Sequence, residues 1–330
     1  MRQSTCGEMR TSVLGFGCGS VLGRVGRSAS LRAMNAAWDE GITLFDTARS
    51  YGFGEAEAVL GEFLGDKRQQ AIVATKYGIA PQKQSTLKRM ILPAARAAMQ
   101  LKVPGIRKLV RQGGPREAVF GQFSVEGLRA SLETSLKQLR TDYVDILFLH
   151  EASIDAIYQQ DLMAELDALK QAGKVLRVGL YANADVIAQG LANGPATLSA
   201  MQFGANPFDP AVAGFAERNH PGVLLIGNHP FRSEARVAMV AATLAAIATD
   251  KSVPEELCDK LRGADWQVLL EAILGVVLRG MGAHALVFSM MQPAHLRANV
   301  HAVESCRFTA LELALMRKRL LNSQALSPSM

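Results

Sequence analysis

The chain has 330 residues, of which 49% are hydrophobic and 20% are charged, with a formal net charge of +6. This length suits one large α/β domain, since barrels of strands and helices take about 250 residues plus insertions. The longest apolar run, over 237–249, is too short and too rich in alanine to span a membrane, and it predicts a helix. The first residues lack an apolar signal-peptide core, and the four cysteines lack metal-ligand spacing, so we expect a cytoplasmic protein with reduced thiols.

Apolar runs alternate with helical patterns along most of the chain, which predicts a parallel sheet built from βα units. The predicted strands lie over 42–45, 71–75, 144–149, 175–180, 198–203, 223–226 and 285–289. The predicted helices lie over 31–40, 55–64, 125–139, 161–171, 185–191, 266–279, 293–304 and 309–321. The tail over 322–330 is expected to be disordered, and no linker divides the chain, so a single domain over 1–330 is predicted.

The segment over 79–123 is unusually long for the connection between a strand and the next helix. Between Lys83 and Arg116 it carries nine Lys or Arg residues and no acidic residue, and the stretch 87–99 has helical periodicity. Such a loop borders the active site of a barrel, so one interpretation is a lid or a basic rim for anionic substrates. The other is a solvated helical excursion or a subunit contact. The chain shows no nucleic-acid-binding module beside this basic segment.

Polar residues follow three of the apolar runs. Asp46 and, five positions later, Tyr51 come after the first, Lys76 after the second and His150 after the third. The carboxyl ends of parallel barrel strands converge on one face, so these side chains are expected to meet. Taken singly, a tyrosine there usually packs, a lysine is usually solvated and a histidine is usually structural, while Asp46 could cap the helix that starts near Glu55. Their joint placement favours a shared chemical site.

Four such groups suit the reduction of a carbonyl. Tyr51 is the best candidate to protonate the developing oxyanion, although an unperturbed phenol has a pKa of about 10. The ammonium of Lys76 is expected to lower the pKa of Tyr51, and Asp46 to keep Lys76 charged. His150 is expected to donate a hydrogen bond to the substrate oxygen and orient it.

The stretch from Asp46-Thr-Ala to Tyr51-Gly, the strand-final Lys76 and the pair Leu149-His150 resemble the aldo-keto reductases. The segments 14–19, 131–145, 173–179 and 201–207 extend this resemblance over most of the chain. It implies a (β/α)8 barrel, a nicotinamide dinucleotide, and a catalytic tetrad of the four residues named above. NADP is the implied cofactor, and a small aldehyde, ketone or sugar is the implied substrate.

The resemblance also implies which positions contact the cofactor. They are Gly17, Cys18, Asp46, Gln202, Asn228, His229, Ser289, His295 and Asn299. Several of these depart from the family pattern. Tyr181-Ala182 stands where the family has Ser-Asn, and Asn228 stands where an aromatic residue commonly stacks on the nicotinamide. Ser289 and His295 replace a basic residue and an arginine, so NAD is the alternative cofactor.

These departures leave two hypotheses. The first is an oxidoreductase that uses a nicotinamide cofactor on a carbonyl or alcohol, with Tyr51 as the general acid. The second is a non-catalytic barrel of the same family that serves as a binding or regulatory protein. The sequence indicates neither the substrate nor the oligomeric state, and it predicts no metal site, nucleic-acid partner or membrane association.

Overall fold

A computed structural model of the chain describes residues 1–23, 25–81, 121, 123–217, 220–231 and 233–324. The strands in these residues are β1 Gln3–Cys6, β2 Met9–Ser12, β3 Leu14–Gly17, β4 Leu44–Asp46, β5 Ile72–Tyr77, β6 Val144–His150, β7 Val175–Tyr181, β8 Leu198–Gly204, β9 Leu224–Asn228 and β10 Ala285–Phe288. Strands β3 to β10 form a closed barrel in the order β10-β3-β4-β5-β6-β7-β8-β9. All neighbours in the barrel are parallel, which confirms the predicted (β/α)8 barrel.

Helices cover the outside of the barrel. They are α1 Arg27–Asp39, α2 Ala56–Leu64, α3 Val125–Leu139, α4 Ile154–Ile157, α5 Gln160–Gln171, α6 Ala184–Asn193, α7 Pro210–Glu217, α8 Glu234–Ile247, α9 Glu255–Leu261, α10 Trp266–Gly275, α11 Pro293–Glu304 and α12 Ala310–Gln324. Helix α10 continues as a short π-helix over Val276–Gly280. Within the described residues, no helix combines the length and the apolar character that a membrane crossing requires.

Several helix starts are fixed by capping side chains, although the helix predicted over 237–249 begins earlier, at Glu234. The residues whose side chains accept a hydrogen bond from a backbone N–H in the first turn are Ser124, Asn183, Ser233 and Asp265. The observed bounds of α3 and α11 are those predicted. The strand predicted over 71–75 is longer than expected and reaches Tyr77.

The sequence does not predict the hairpin β1–β2 or the first barrel strand, β3. Polar residues dominate the hairpin, and β3 contains two glycines, so neither has the apolar pattern of a buried strand. Gly15 lies where an added Cβ would approach Val287 Cγ2 to 2.7 Å and Leu44 Cδ2 to 2.8 Å. Larger neighbouring side chains therefore fill the space that a side chain on this strand would need.

Two sequence expectations concern the long insertion and the tail. The tail prediction is wrong at its start, because α12 continues through 322–324. Residues 325–330 lie outside the described part of the chain. Most of the basic segment over 79–123, including the stretch 87–99, also lies outside it, so the lid, rim and contact interpretations remain predictions.

Side chains alternate between the barrel lumen and the surrounding helices along each strand. The apolar residues that fill the lumen are Leu44, Ala74, Ile146, Phe148, Ala200, Leu224, Ile226, Ala285 and Val287. The residues two positions beyond five of these are Asp46, Lys76, His150, Gln202 and Asn228. The same alternation that builds the core therefore directs these polar side chains to the carboxyl-terminal mouth of the barrel.

The hairpin β1–β2 closes the opposite end of the lumen. Cys6 and Met9 pack in the lumen cluster, one on each side of the hairpin turn. Arg177 ties this turn to the barrel, donating from Nη2 to the Cys6 carbonyl at 2.7 Å. Its Nη1 donates to the carbonyls of Gly222 at 2.7 Å and Ser199 at 3.1 Å. One guanidinium thus satisfies three carbonyls at the base of the barrel.

Candidate active site

The centre of the candidate site is a buried ion pair between β4 and β5. Lys76 Nζ donates to Asp46 Oδ1 at 2.6 Å and to the Thr47 carbonyl at 2.8 Å. Lys76 is only 1% exposed and Asp46 only 4%. Removing two charges from water is costly unless they are paired and hydrogen-bonded, as they are here. A lysine held this way at a strand end is not the solvated charge that such a residue usually is.

Tyr51 reaches this pair from the turn that follows β4. The turn, Tyr51–Gly54, contains three residues with positive φ, Gly52 at 57°, Phe53 at 60° and Gly54 at 86°. Positive φ is unfavourable for a bulky residue such as Phe53, so the surrounding structure must hold this conformation. The turn places the Tyr51 ring so that its centroid lies 4.9 Å from Lys76 Nζ.

His150 completes the group of four from the end of β6. Its ring centroid lies 6.0 Å from that of Tyr51, in an edge-to-face arrangement. Burial lowers the pKa of His150 to about 3, and the charge of Lys76 acts in the same direction. The imidazole is therefore neutral at physiological pH, with one nitrogen able to donate and the other to accept. The structure brings together all four residues of the predicted tetrad.

The protonation of Tyr51 differs from the sequence-based expectation. Burial raises the pKa of the Tyr51 phenol well above its usual value, and the nearby Asp46 carboxylate raises it further. The expected net lowering of the Tyr51 pKa is therefore wrong, because burial and Asp46 outweigh the opposite effect of the Lys76 ammonium. The positive charge of Lys76 is offset by Asp46 at 2.6 Å, so burial outweighs it. Tyr51 is consequently a protonated phenol, which is the form that a general acid requires.

Gly17 and Cys18, predicted to contact the cofactor, lie at the end of β3. Gly17 pairs in register with Asp46, and Cys18 is fully buried beside the site. Burial raises the pKa of the Cys18 thiol, and the Asp46 carboxylate raises it further, so this cysteine is a neutral thiol.

Gln202 and Asn228 bring two side-chain amides to the barrel mouth. Gln202, 1% exposed, donates from Nε2 to Asp46 Oδ1 at 3.2 Å. Its Oε1 is buried and has no hydrogen-bond partner, and the same is true of Asn228 Oδ1. Buried polar atoms are rarely left unpaired, so two orphaned acceptors indicate a missing donor. A nicotinamide ring carries such a donor in its carboxamide group, and these residues therefore fit that part of the cofactor.

The remaining predicted cofactor positions are more dispersed. His229 directly follows β9 and is exposed, with a φ of 49°. Ser289 directly follows β10 and is exposed, and His295 is exposed near the start of α11. Asn299, one turn further along α11, is buried. Ser289 therefore lies on the connection from β10 to α11, and His295 and Asn299 lie on α11 itself.

Tyr181 is a further residue of the candidate site. The sequence shows only that it stands where the family has a serine. It ends β7, in register with His150 on one side and with Gln202 on the other. Its ring centroid lies 5.2 Å from that of His150 and 5.9 Å from Lys76 Nζ. Burial raises the pKa of its phenol, so it too is protonated. Its position after an apolar run is the same signal that identifies His150.

The fold and the site define a (β/α)8 barrel with an Asp, Tyr, Lys and His group at its carboxyl-terminal mouth. A sequence model described as Aldo/keto reductase family matches residues 13–233. The chain belongs to the aldo-keto reductase family.

Individual relatives are distant and match only part of the chain. An NADH-specific methylglyoxal reductase from Escherichia coli is 30% identical over 148 residues, which cover 44% of this chain and 38% of that enzyme. An L-galactose dehydrogenase from Arabidopsis thaliana is 30% identical over 181 residues, covering 52% of this chain and 45% of the relative. The chain thus spans less than half the length of either relative.

Solved structures match the fold over more of the chain. The holo form of an aldo-keto reductase from Bacillus halodurans superimposes with a TM-score of 0.68 at 23% identity. The match covers 97% of this chain and 96% of that one. At this identity the likeness establishes the barrel fold alone.

Proposed function

We propose that this chain is an oxidoreductase that reduces the carbonyl of a small aldehyde, ketone or sugar with a nicotinamide dinucleotide, or catalyses the reverse oxidation. The observation that carries this proposal is the meeting of Tyr51, His150 and the buried Lys76–Asp46 pair at the barrel mouth. Membership of the aldo-keto reductase family supports it.

The cofactor supplies the hydride when it is bound. The residues of the chain supply the proton. In reduction, the Oη–H bond of Tyr51 breaks and its proton goes to the carbonyl oxygen as the carbon receives the hydride. The product is an alcohol, and the phenolate of Tyr51 is later reprotonated from water. Reversing these steps oxidises an alcohol.

Lys76 acts on the charge that Tyr51 develops as it loses its proton. The protonated phenol is favoured before reaction, because burial and Asp46 raise its pKa. An ammonium 4.9 Å from the ring centroid favours the phenolate as it forms. Asp46 keeps that ammonium charged in a site where it is 1% exposed.

His150 is proposed to orient the substrate. As a neutral imidazole it can donate one hydrogen bond to the carbonyl oxygen without competing for the proton of Tyr51. Such a donor also stabilises the negative charge that the oxygen gains.

The proposal admits two forms of the cofactor, NADPH and NADH. NADPH is the form that the family resemblance implies, and NADH is the alternative because Ser289 and His295 replace the usual basic residues. A titration of the purified protein with NADPH and, separately, NADH tests the proposal, followed by turnover assays on a panel of carbonyl compounds. Saturable binding with turnover that depends on Tyr51 would support it. No binding of either nucleotide would favour the alternative, a non-catalytic barrel with a binding or regulatory role.

A further inference from the structure

An ion pair joins the two ends of the segment that carries Tyr51. Arg49 stands two residues before Tyr51, and Glu57 stands six residues after it, in the first turn of α2. Arg49 Nη1 donates to Glu57 Oε2 at 2.6 Å. The Glu57 side chain is 1% exposed and that of Arg49 is 12% exposed, so little water competes with this contact. The pair therefore ties the connection after β4 to the start of α2.

The segment between these two residues has a strained backbone. The three consecutive residues 52–54 have positive φ. This conformation is unfavourable for Phe53, whose side chain is 44% exposed and so gains little from packing. Inside the segment, the Tyr51 N–H donates to the Ala48 carbonyl at 3.1 Å. The ion pair closes the segment from outside, so it opposes relaxation of the turn around Tyr51.

The second oxygen of Glu57 connects this turn to strand β5. Thr75 Oγ1 donates to Glu57 Oε1 at 2.6 Å, and Thr75 is fully buried. Thr75 directly precedes Lys76. Neighbouring residues on a strand point to opposite faces of the sheet, so Thr75 meets α2 outside the barrel while Lys76 faces Asp46 at the mouth. One carboxylate thus contacts both the segment that carries Tyr51 and the strand that carries Lys76.

Arg49 is itself held by helix α3. Its Nη1 also donates to Gln138 Oε1 at 3.0 Å. Helices α2 and α3 approach each other closely here, because an added Cβ on Gly61 would come within 2.3 Å of the Gln138 carbonyl oxygen. The second acceptor for Arg49 therefore belongs to a tightly packed pair of helices, which gives the guanidinium a fixed position from which to hold Glu57.

We propose that Glu57 and Arg49 are positioning residues of the reaction, which hold the Tyr51 hydroxyl where it can deliver its proton. They act through the turn, and Tyr51 contacts the substrate. A misplacement of about 1 Å can reduce a rate by about 100-fold, so the orientation of this turn matters as well as the identity of the acid. This inference rests on the proposed function, because it concerns the proton that Tyr51 transfers.

The alternative is that the ion pair only stabilises α2. Apolar side chains of similar size often stabilise a buried site as well as an ion pair does, whereas the pair also fixes directions through its hydrogen bonds. Replacing the charges therefore separates stability from positioning. Glu57→Met breaks both contacts of the carboxylate, and Arg49→Met/Glu57→Met removes the pair without leaving either charge unpaired.

The first experiment compares kcat with resistance to urea. Glu57→Met should be less stable than the wild type and should lower kcat by about 10- to 100-fold. The double variant should recover most of the stability and keep the low kcat, because an apolar contact does not direct the turn. The dissociation constant of the cofactor should stay close to the wild-type value in both variants. The assays are made at a temperature at which every variant is folded.

Glu271→Met/Arg307→Met is the matched control. Glu271 is also 1% exposed, and Arg307 donates to its two carboxylate oxygens at 2.9 and 3.0 Å. This pair joins α10 to the segment after α11 and does not contact the turn that carries Tyr51. Its removal should affect stability to a similar extent and leave kcat unchanged.

A second pair of variants tests the link from Glu57 to β5. Thr75→Val keeps the shape of the side chain and removes the hydroxyl, so kcat should fall by about tenfold. Thr75→Ser keeps the hydroxyl and should retain a kcat close to that of the wild type.

A double-mutant cycle with Tyr51→Phe separates the two roles directly. If Glu57 acts through Tyr51, Glu57→Met should cause no further loss of the single-turnover rate in the Tyr51→Phe background, since residues that act as one unit are not additive. A purely structural role would lower the rate by the same factor in both backgrounds.

Equal factors in the two backgrounds would overturn the inference, as would near-wild-type kcat in Arg49→Met/Glu57→Met. Either result would leave the proposed function standing, provided that Tyr51→Phe loses most of its turnover. Near-wild-type turnover in Tyr51→Phe, or no turnover of any carbonyl compound by the wild type, would overturn both proposals.

Discussion

The ammonium of Lys76 lies 4.9 Å from the centroid of the Tyr51 ring, while its hydrogen bonds go to Asp46 and to the Thr47 carbonyl. Lys76 thus acts on the phenol through its charge and on Asp46 through direct contact. The two relationships can be separated experimentally, because one concerns stability and the other concerns proton transfer.

Removal of Lys76 should destabilise the fold. Lys76→Met leaves the buried carboxylate of Asp46 without its cation, which we expect to lower the free energy of unfolding by about 3–5 kcal/mol. Urea unfolding at pH 7 would measure this change. The double variant Asp46→Asn/Lys76→Met removes both charges and should recover part of the loss while remaining inactive. A double variant no more stable than Lys76→Met would contradict the importance of the unpaired charge.

Removal of the Tyr51 hydroxyl should affect chemistry and spare the fold. Tyr51→Phe should lower kcat by about 10²- to 10⁴-fold, the usual contribution of a general acid. The dissociation constant of the cofactor should change little, which fluorescence titration would measure. Tyr158→Phe, at a tyrosine that is 52% exposed, is the matched control and should keep wild-type kcat. Near-wild-type turnover in Tyr51→Phe would refute the assignment.

The neutral His150 predicts a pH dependence of stability. Its pKa is about 3 in the folded protein and about 6.5 when exposed, so the unfolded chain binds more protons between these values. Stability should therefore be highest above pH 6.5 and fall as the pH decreases toward 3. Between pH 6.5 and 5 the contribution of His150 is about 2 kcal/mol.

The control for this pH dependence is a variant with a side chain at position 150 that does not titrate. Urea unfolding of the wild type and of His150→Gln at pH 7.5 and pH 5 would isolate the contribution of His150, because the other groups titrate in both proteins. The wild type should lose more stability than the variant on acidification. Equal losses would mean that His150 is protonated in the fold or is solvated. His295→Gln, at an exposed histidine, should behave like the wild type.

Arg177 should be important for stability although it is remote from the chemistry. Arg177→Met removes the donor for three carbonyls at the base of the barrel and should destabilise the protein by about 2–4 kcal/mol. Thermal and urea unfolding would measure the loss, and KM should be unchanged at a temperature where the variant is folded. Arg129→Met, which breaks an exposed pair with Glu165, should cost less than about 1 kcal/mol. Similar losses in the two variants would contradict the special role of Arg177.

A single substitution should reveal how the cofactor phosphate is selected. Ser289 is an exposed residue at the position where the family has a basic side chain, so Ser289→Lys should improve NADPH binding by about tenfold over NADH binding. The ratio of the two dissociation constants at low salt would measure this effect. Ser305→Lys adds the same charge after the end of α11 and is the control. An equal gain for both nucleotides would show that the added charge acts non-specifically.

The fold and the tetrad could be predicted because they depend on local patterns. Strand ends are visible as apolar runs, and in a parallel barrel these ends meet, so the residues after them meet as well. Asp46, Lys76 and His150 follow this rule. Tyr181 follows it too, but the sequence alone treats it as the loss of a serine, because its ring contact with His150 joins residues 31 positions apart.

The protonation of Tyr51 could not be predicted for a different reason. Sequence reasoning identifies the neighbouring Lys76 but not the degree to which the phenol is buried, and burial decides the direction of the pKa change here. The hairpin β1–β2 could not be predicted because Arg177 and contacts with the lumen hold it in place. Such tertiary contacts cannot be recognised from the polar sequence of the amino-terminal segment.

The closed base of the barrel has a consequence for proton resupply. Cys6, Met9 and the apolar lumen side chains occupy the axis of the barrel beneath the site. These packed side chains separate Tyr51 from the base of the barrel, so in the proposed mechanism the proton that restores its phenol comes through the mouth that substrate and product also use. Departure of the alcohol and recovery of the acid are then linked in time, so a product that lingers in the mouth would also delay the next proton transfer.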